Sequence, residues 1–144
     1  DDGTLKDDAP ISTGDLIFLD DLTNKKLVFD IGVNIRGVPY NKLVNTTVNL
    51  VQGADNSVIE DLNMEFTGDD TTGSIGIIYI KNVNNVTIQN NIIEVPDFVD
   101  KPGSKYGSSV YAIEVESGML GCNDIFINNN FITMEGSCAD AIPA

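Results

Sequence analysis

A solenoid of stacked parallel strands, a single-stranded parallel β-helix of about four to five coils, is the fold class this sequence predicts. Three observations carry it: an internal repeat, short β-branched runs with near-period-two alternation, and asparagine at fixed places in the repeat. Ser57–Phe66, Val86–Val95 and Ile125–Met134 superimpose without internal gaps. Ile59, Ile88 and Ile127 align, as do Phe66, Val95 and Met134.

The interval from Ile88 to Ile127 is longer than the one from Ile59 to Ile88. An insertion between Val95 and Val115 and a smaller one between Val115 and Ile127 account for the difference. The larger insertion lies in Pro96–Ser109, where Pro, Gly, Ser and Asp predict an exposed loop. Each repeat holds a third apolar stretch: Ile75–Ile80, Val110–Val115 and Ala139–Ile142. A three-strand coil is therefore the repeating unit, and equivalent strands stack in parallel. Leu27–Gly37 and Val48–Val51 read as an earlier, degenerate coil. Residues 1–24 read as an irregular N-terminal part or cap, apart from Leu16–Leu19, and residues 25–144 as coils of one segment.

The formal charge is −14, with no histidine and a single arginine, Arg36. Such a surface repels nucleic acid and anionic membrane. No apolar run is long enough to span a bilayer, so no membrane insertion is expected in this segment. The chain begins at Asp1 with no signal peptide, and is read as a mature piece of a longer extracellular or cell-surface protein.

Asparagine explains how a coil closes. Asp61, Asn90 and Asn129 share one column, and Leu62, Asn91 and Asn130 the next. Asparagine tolerates left-handed backbone, and stacked amides can form a ladder. At these residues the sequence resembles the right-handed parallel β-helix superfamily of pectate-lyase-like folds. Val86–Ile93 and Ile125–Ile132 are similar to its repeat, and the texture resembles the large adhesin-like surface proteins of methanogenic archaea. The resemblance covers roughly residues 25–144. It implies right-handed coils and leaves the function open, since this fold carries lyases, hydrolases and adhesins.

The enzymes of that superfamily imply a basic residue beside carboxylates that hold calcium, or converging aspartates. The sequence shows no matching Arg or Lys among clustered carboxylates of a later coil. Asp61 has Asn90 and Asn129 as column neighbours rather than acids. Without histidine, an imidazole base and a His-ligated metal are excluded. Asp69-Asp70 reads as part of a solvated loop. No cofactor is expected beyond calcium, for which Asp97 and Asp100 are the candidate ligands. Cys122 and Cys138 are a candidate disulfide, although their turns stand at opposite ends of one face. Asn45-Thr46-Thr47 and Asn85-Val86-Thr87 are candidate glycosylation sites. Tyr106 and Tyr111 are candidate contact aromatics beside the long loop.

The expected function is a non-catalytic surface solenoid that displays loops and contacts carbohydrate or another cell surface. The alternative is a fragment of a polysaccharide lyase or hydrolase. Open solenoid ends expose strand edges, so end-to-end self-association is also expected.

Overall fold

The computed structural model describes residues 10–67, 75–99 and 110–137. The described chain is a parallel β-helix of four full coils and part of a fifth. The first coil is β1 (Leu16–Leu19), β2 (Leu22–Thr23) and β3 (Lys26–Phe29). The second is β4 (Asn34–Gly37), β5 (Leu43–Val44) and β6 (Thr47–Leu50). The third is β7 (Val58–Glu60), β8 (Asn63–Glu65) and β9 (Ile75–Lys81). The fourth is β10 (Val86–Gln89), β11 (Ile92–Val99) and β12 (Val110–Glu116). The fifth contributes β13 (Ile125–Asn128) and β14 (Phe131–Ser137). Equivalent strands pair in parallel, giving sheet A (β1-β4-β7-β10-β13), sheet B (β2-β5-β8-β11-β14) and sheet C (β3-β6-β9-β12).

The register matches the ungapped repeat, because Ile88 pairs with both Ile59 and Ile127. Strand alternation points one residue in two inwards, so identical columns from successive coils build the core. Sheet A supplies Ile17, Ile35, Ile59, Ile88 and Ile127. Sheet B supplies Leu22, Leu43, Met64, Ile93 and Ile132. Sheet C supplies Leu27, Val48, Ile78 and Ile113, with Phe29, Leu50 and Ile80 behind them. Ile35, Ile59, Ile88, Val48, Ile78 and Ile93 are wholly buried.

Three sequence expectations change. Leu16–Leu19, the run set apart from the irregular N-terminal part, forms β1, whereas Leu22–Thr23, expected to be irregular, forms β2, and the two complete a first coil with β3. The segment Leu27–Gly37, expected as part of one coil, spans two: β3 closes the first and β4 opens the second. The third change concerns Pro96, where the exposed loop was expected to begin. Strand β11 continues to Val99, with a register shift between Val95 and Phe98 against β14. A bulge is where a sheet tolerates a residue without an N–H, which explains how Pro96 sits inside a strand. Ala139–Ile142 lies outside the described residues.

The coils widen along the axis. Along sheet A the intervals run from Ile17 to Ile35, Ile35 to Ile59, Ile59 to Ile88 and Ile88 to Ile127, each longer than the one before. The A-to-B corner hardly contributes: inward residues flanking it are five apart in every coil except the second, where Ile35 and Leu43 are eight apart. From the second coil to the fourth the growth lies mainly in the B-to-C connection, which is short from Leu43 to Val48 and several times longer from Ile93 to Ile113, with a smaller addition between Ile113 and Ile127.

Close stacking leaves no room for side chains at certain corners. A Cβ on Gly37 would lie 2.2 Å from the Asp61 carbonyl oxygen of the next coil. Gly37→Ala is therefore expected to lower stability by ~1–3 kcal/mol. An unchanged urea midpoint would show that the second and third coils are not this close.

Candidate functional site

The recurrent polar features are the corners. Among the described residues, ten non-glycine residues have positive φ, and nine of them are Asn or Asp. Asp61, Asn90 and Asn129 have φ of 57, 56 and 52°, so the first predicted column supplies the left-handed bend between sheets A and B. The next column supplies the ladder. Asn91 is 1% exposed. Its Oδ1 accepts the Leu62 N–H at 2.9 Å, and its Nδ2 donates to the Ile59 carbonyl at 3.1 Å. Asn130 repeats the pattern one coil later: its Oδ1 accepts from Asn91 N at 3.0 Å and its Nδ2 donates to the Ile88 carbonyl at 3.0 Å. Two adjacent asparagines thus divide the work, one bending the chain and one satisfying backbone groups that the bend takes out of the ladder.

Sequence reasoning missed a second ladder at the C-to-A corner. Asp55 Oδ1 accepts from Asn84 N at 2.7 Å, and Asn84 Oδ1 accepts from Asn123 N at 3.0 Å. Asn56, Asn85 and Asp124, each one position later, take positive φ. The signal was present: Asp55, Asn84 and Asn123 each stand the same short distance before Ile59, Ile88 and Ile127. Here the carboxylate or amide oxygen of the lower coil accepts from the upper one. At the A-to-B corner the direction is reversed.

The outer faces carry charges tied between coils. Arg36 bonds Glu60 and lies 3.5 Å from Asp61. Gln89 Nε2 donates to Glu60 Oε2 at 2.9 Å. Lys42 Nζ is 2.7 Å from Glu65 and 3.7 Å from Glu94, which pair in register on sheet B. Lys81 bonds Glu116 at 2.7 Å, and the Tyr79 hydroxyl donates to the same carboxylate. The partners are a whole coil or more apart in sequence and meet only through the coil register. Chemically, however, Lys42 is held protonated, its pKa raised chiefly by the hydrogen bond to Glu65 and further by Glu94. The Lys81 pKa is raised and that of Glu116 lowered, in each case chiefly by their mutual hydrogen bond. Burial raises that of Tyr79, with Glu116 adding to it.

The remaining predicted residues are dispersed. Asn45 bends the B-to-C corner at φ 47°, and its Oδ1 accepts from Thr67 N at 2.8 Å. Asn85 is exposed and donates to Asn56 Oδ1 at 2.7 Å. Tyr111 lies on β12 opposite Gly76, 45% exposed. Cys122 is half-buried and its Sγ lies 3.5 Å from the Glu116 carbonyl oxygen. Asp97 lies on β11, whereas its side chain and all of Asp100, Tyr106, Cys138 and Asp69-Asp70 lie outside the described residues. Among the described residues, no three His, Cys, Asp or Glu gather to hold a metal ion. No helix among them is long and apolar enough to cross a membrane.

No protein-family model matches the chain, and neither a curated protein nor a solved structure matches it significantly.

Replacing Asn91 with leucine strips the buried Leu62 N–H and Ile59 carbonyl of their partners. A loss of ~2–4 kcal/mol is expected in urea unfolding. A loss under ~0.5 kcal/mol would show that the ladder is dispensable. Glu60 gives a pH test. Its pKa lies below the ordinary value, first through the Gln89 amide and then through Arg36. That stabilisation is complete above the ordinary carboxylate range and is lost as pH falls through the lowered folded-state value. The melting-temperature gap between the wild type and Glu60→Gln is expected to be small at neutral pH, about 1 kcal/mol or less in free energy, and to close as pH falls through the lowered folded-state value. A gap that widens in acid would contradict the assignment.

Proposed function

We propose that the chain is a non-catalytic cell-surface or secreted β-solenoid that holds its connections at fixed spacing along a rod and contacts carbohydrate or another cell surface. The observation that carries this reading is the use of Arg36, Lys42 and Lys81 as ties between successive coils. Those cations pair with carboxylates across coil boundaries on the outer faces. The second coil adds a presented aromatic. Its A-to-B corner is longer than the others, and Tyr40 there is fully exposed with φ 71°. An aromatic residue in left-handed backbone costs ~1–2 kcal/mol, a penalty that no packing of its ring offsets. The asparagine-rich repeat supports kinship with right-handed, pectate-lyase-like solenoids and, more narrowly, with adhesin-like surface proteins of methanogenic archaea.

A polysaccharide-active enzyme is the second reading, favoured by Glu65 and Glu94 stacked around Lys42. It ranks second because a lysine with a raised pKa is a poor proton acceptor at neutral pH.

Binding to a broad glycan array, with and without calcium, tests the first reading. A reproducible signal that Tyr40→Ala reduces is the expected result. Release of unsaturated or reducing ends from acidic polysaccharides, abolished by Lys42→Ala, would instead establish the enzyme.

A further inference from the structure

The two asparagine ladders run in opposite directions, and this sets what the C-terminal end of the described solenoid can accept. At the A-to-B corner each upper asparagine oxygen accepts the N–H below it, so the last rung leaves the Asn130 N–H without an acceptor among the described residues. At the C-to-A corner each lower oxygen accepts the N–H above it, so the last rung leaves Asn123 Oδ1 without a donor among the described residues. The core columns are open at the same end. Ile127, Ile132 and Met134 are 48, 42 and 47% exposed, whereas Ile88, Ile93 and Val95 one coil below are buried.

Natural edge strands are blunted by charge, proline or cover. The first coil is guarded in this way: Asp15, Asp20, Asp21 and Lys25 flank its strands, Lys26 begins β3, the Gly14 N–H donates to the Gly32 carbonyl, and Ile11 packs on the core. Strand β13 reads Ile-Phe-Ile-Asn with Asp124 alone beside it, and β14 carries only Glu135.

We propose that this end is a template for one further parallel coil of the chain's own repeat type. That coil would bring an asparagine to the A-to-B ladder position, to accept from Asn130, and a backbone N–H to the C-to-A corner, to donate to Asn123. The proposal rests on the fold and stands apart from the functional reading above. The coil–coil interface already formed between the fourth and fifth coils continues into it, column by column. A second copy fits poorly. Two C-terminal ends would meet with antiparallel strands, which the ladders cannot continue. A head-to-tail contact would set the charged first coil, whose repeat from Ile17 to Ile35 is the shortest, on an end whose repeat from Ile88 to Ile127 is the longest.

The test uses the full chain and an N-acetylated peptide of its own sequence, residues 84–95, which carries both corners. In the chain alone, hydrogen exchange is expected to protect the Asn91 and Asn123 amides and leave the Asn130 amide exchanging near its intrinsic rate. The labelled peptide is expected to bind saturably and to slow Asn130 exchange. The Asn91→Leu peptide, lacking the oxygen that meets Asn130, is expected to bind about five- to tenfold more weakly. Protection of Asn130 in the chain alone would mean that the end is already covered and would overturn the proposal. So would equal binding by both peptides, or no saturable binding at millimolar peptide.

Discussion

Every coil must turn three corners while keeping its backbone groups paired, and the A-to-B corner is the constraint on which the rest depends. The path between the inward side chains on its two sides has one length in every coil but the second. In the third, fourth and fifth coils a left-handed residue turns that short path: Asp61, Asn90 and Asn129. The bend takes local N–H and C=O groups out of the sheet ladders. Asn91 and Asn130 bond them from within. Sheets A and B stay in register from coil to coil, the longer second corner included, and Ile35, Ile59 and Ile88 fall on one another.

The other corners adapt to that fixed one. The C-to-A corner repeats the device with the ladder residue before the left-handed one, so its hydrogen bonds run the other way along the axis. The B-to-C connection is free to lengthen. It does so from the third coil on, and the coils widen without disturbing the stack. Charges then bind the outer faces: Arg36, Lys42 and Lys81 each cross a coil boundary to a carboxylate. Individually such half-exposed pairs contribute little. They matter more as a means of placing a strongly acidic surface at close spacing without repulsion between neighbouring coils.

Much of this was legible where the repeat is gap-free. The columns of Ile59, Ile88 and Ile127 and the two asparagine columns follow from alignment alone. The first two coils were obscured because their B-to-C connections are so short, and because β2 and β5, Leu22–Thr23 and Leu43–Val44, carry no periodicity of their own. Lys42 beside Glu65 and Glu94 could not be read from spacing, since three coils must be in register before the side chains meet. Asp55, Asn84 and Asn123 were within reach, just upstream of the aligned isoleucines. They were passed over because a polar run before a strand looks like an ordinary turn.

The asparagine ladder is read most directly by scalar couplings across hydrogen bonds, measured by NMR on the labelled chain. Couplings are expected from Leu62 N to the side-chain Cγ of Asn91 and from Asn91 N to that of Asn130. They should accompany the parallel-strand couplings from Ile92 N to the Leu62 carbonyl and from Phe131 N to that of Asn91. A Leu62 N–H coupled to a backbone carbonyl instead, with a freely exchanging Asn91 side-chain amide, would contradict the ladder as the device that closes each coil.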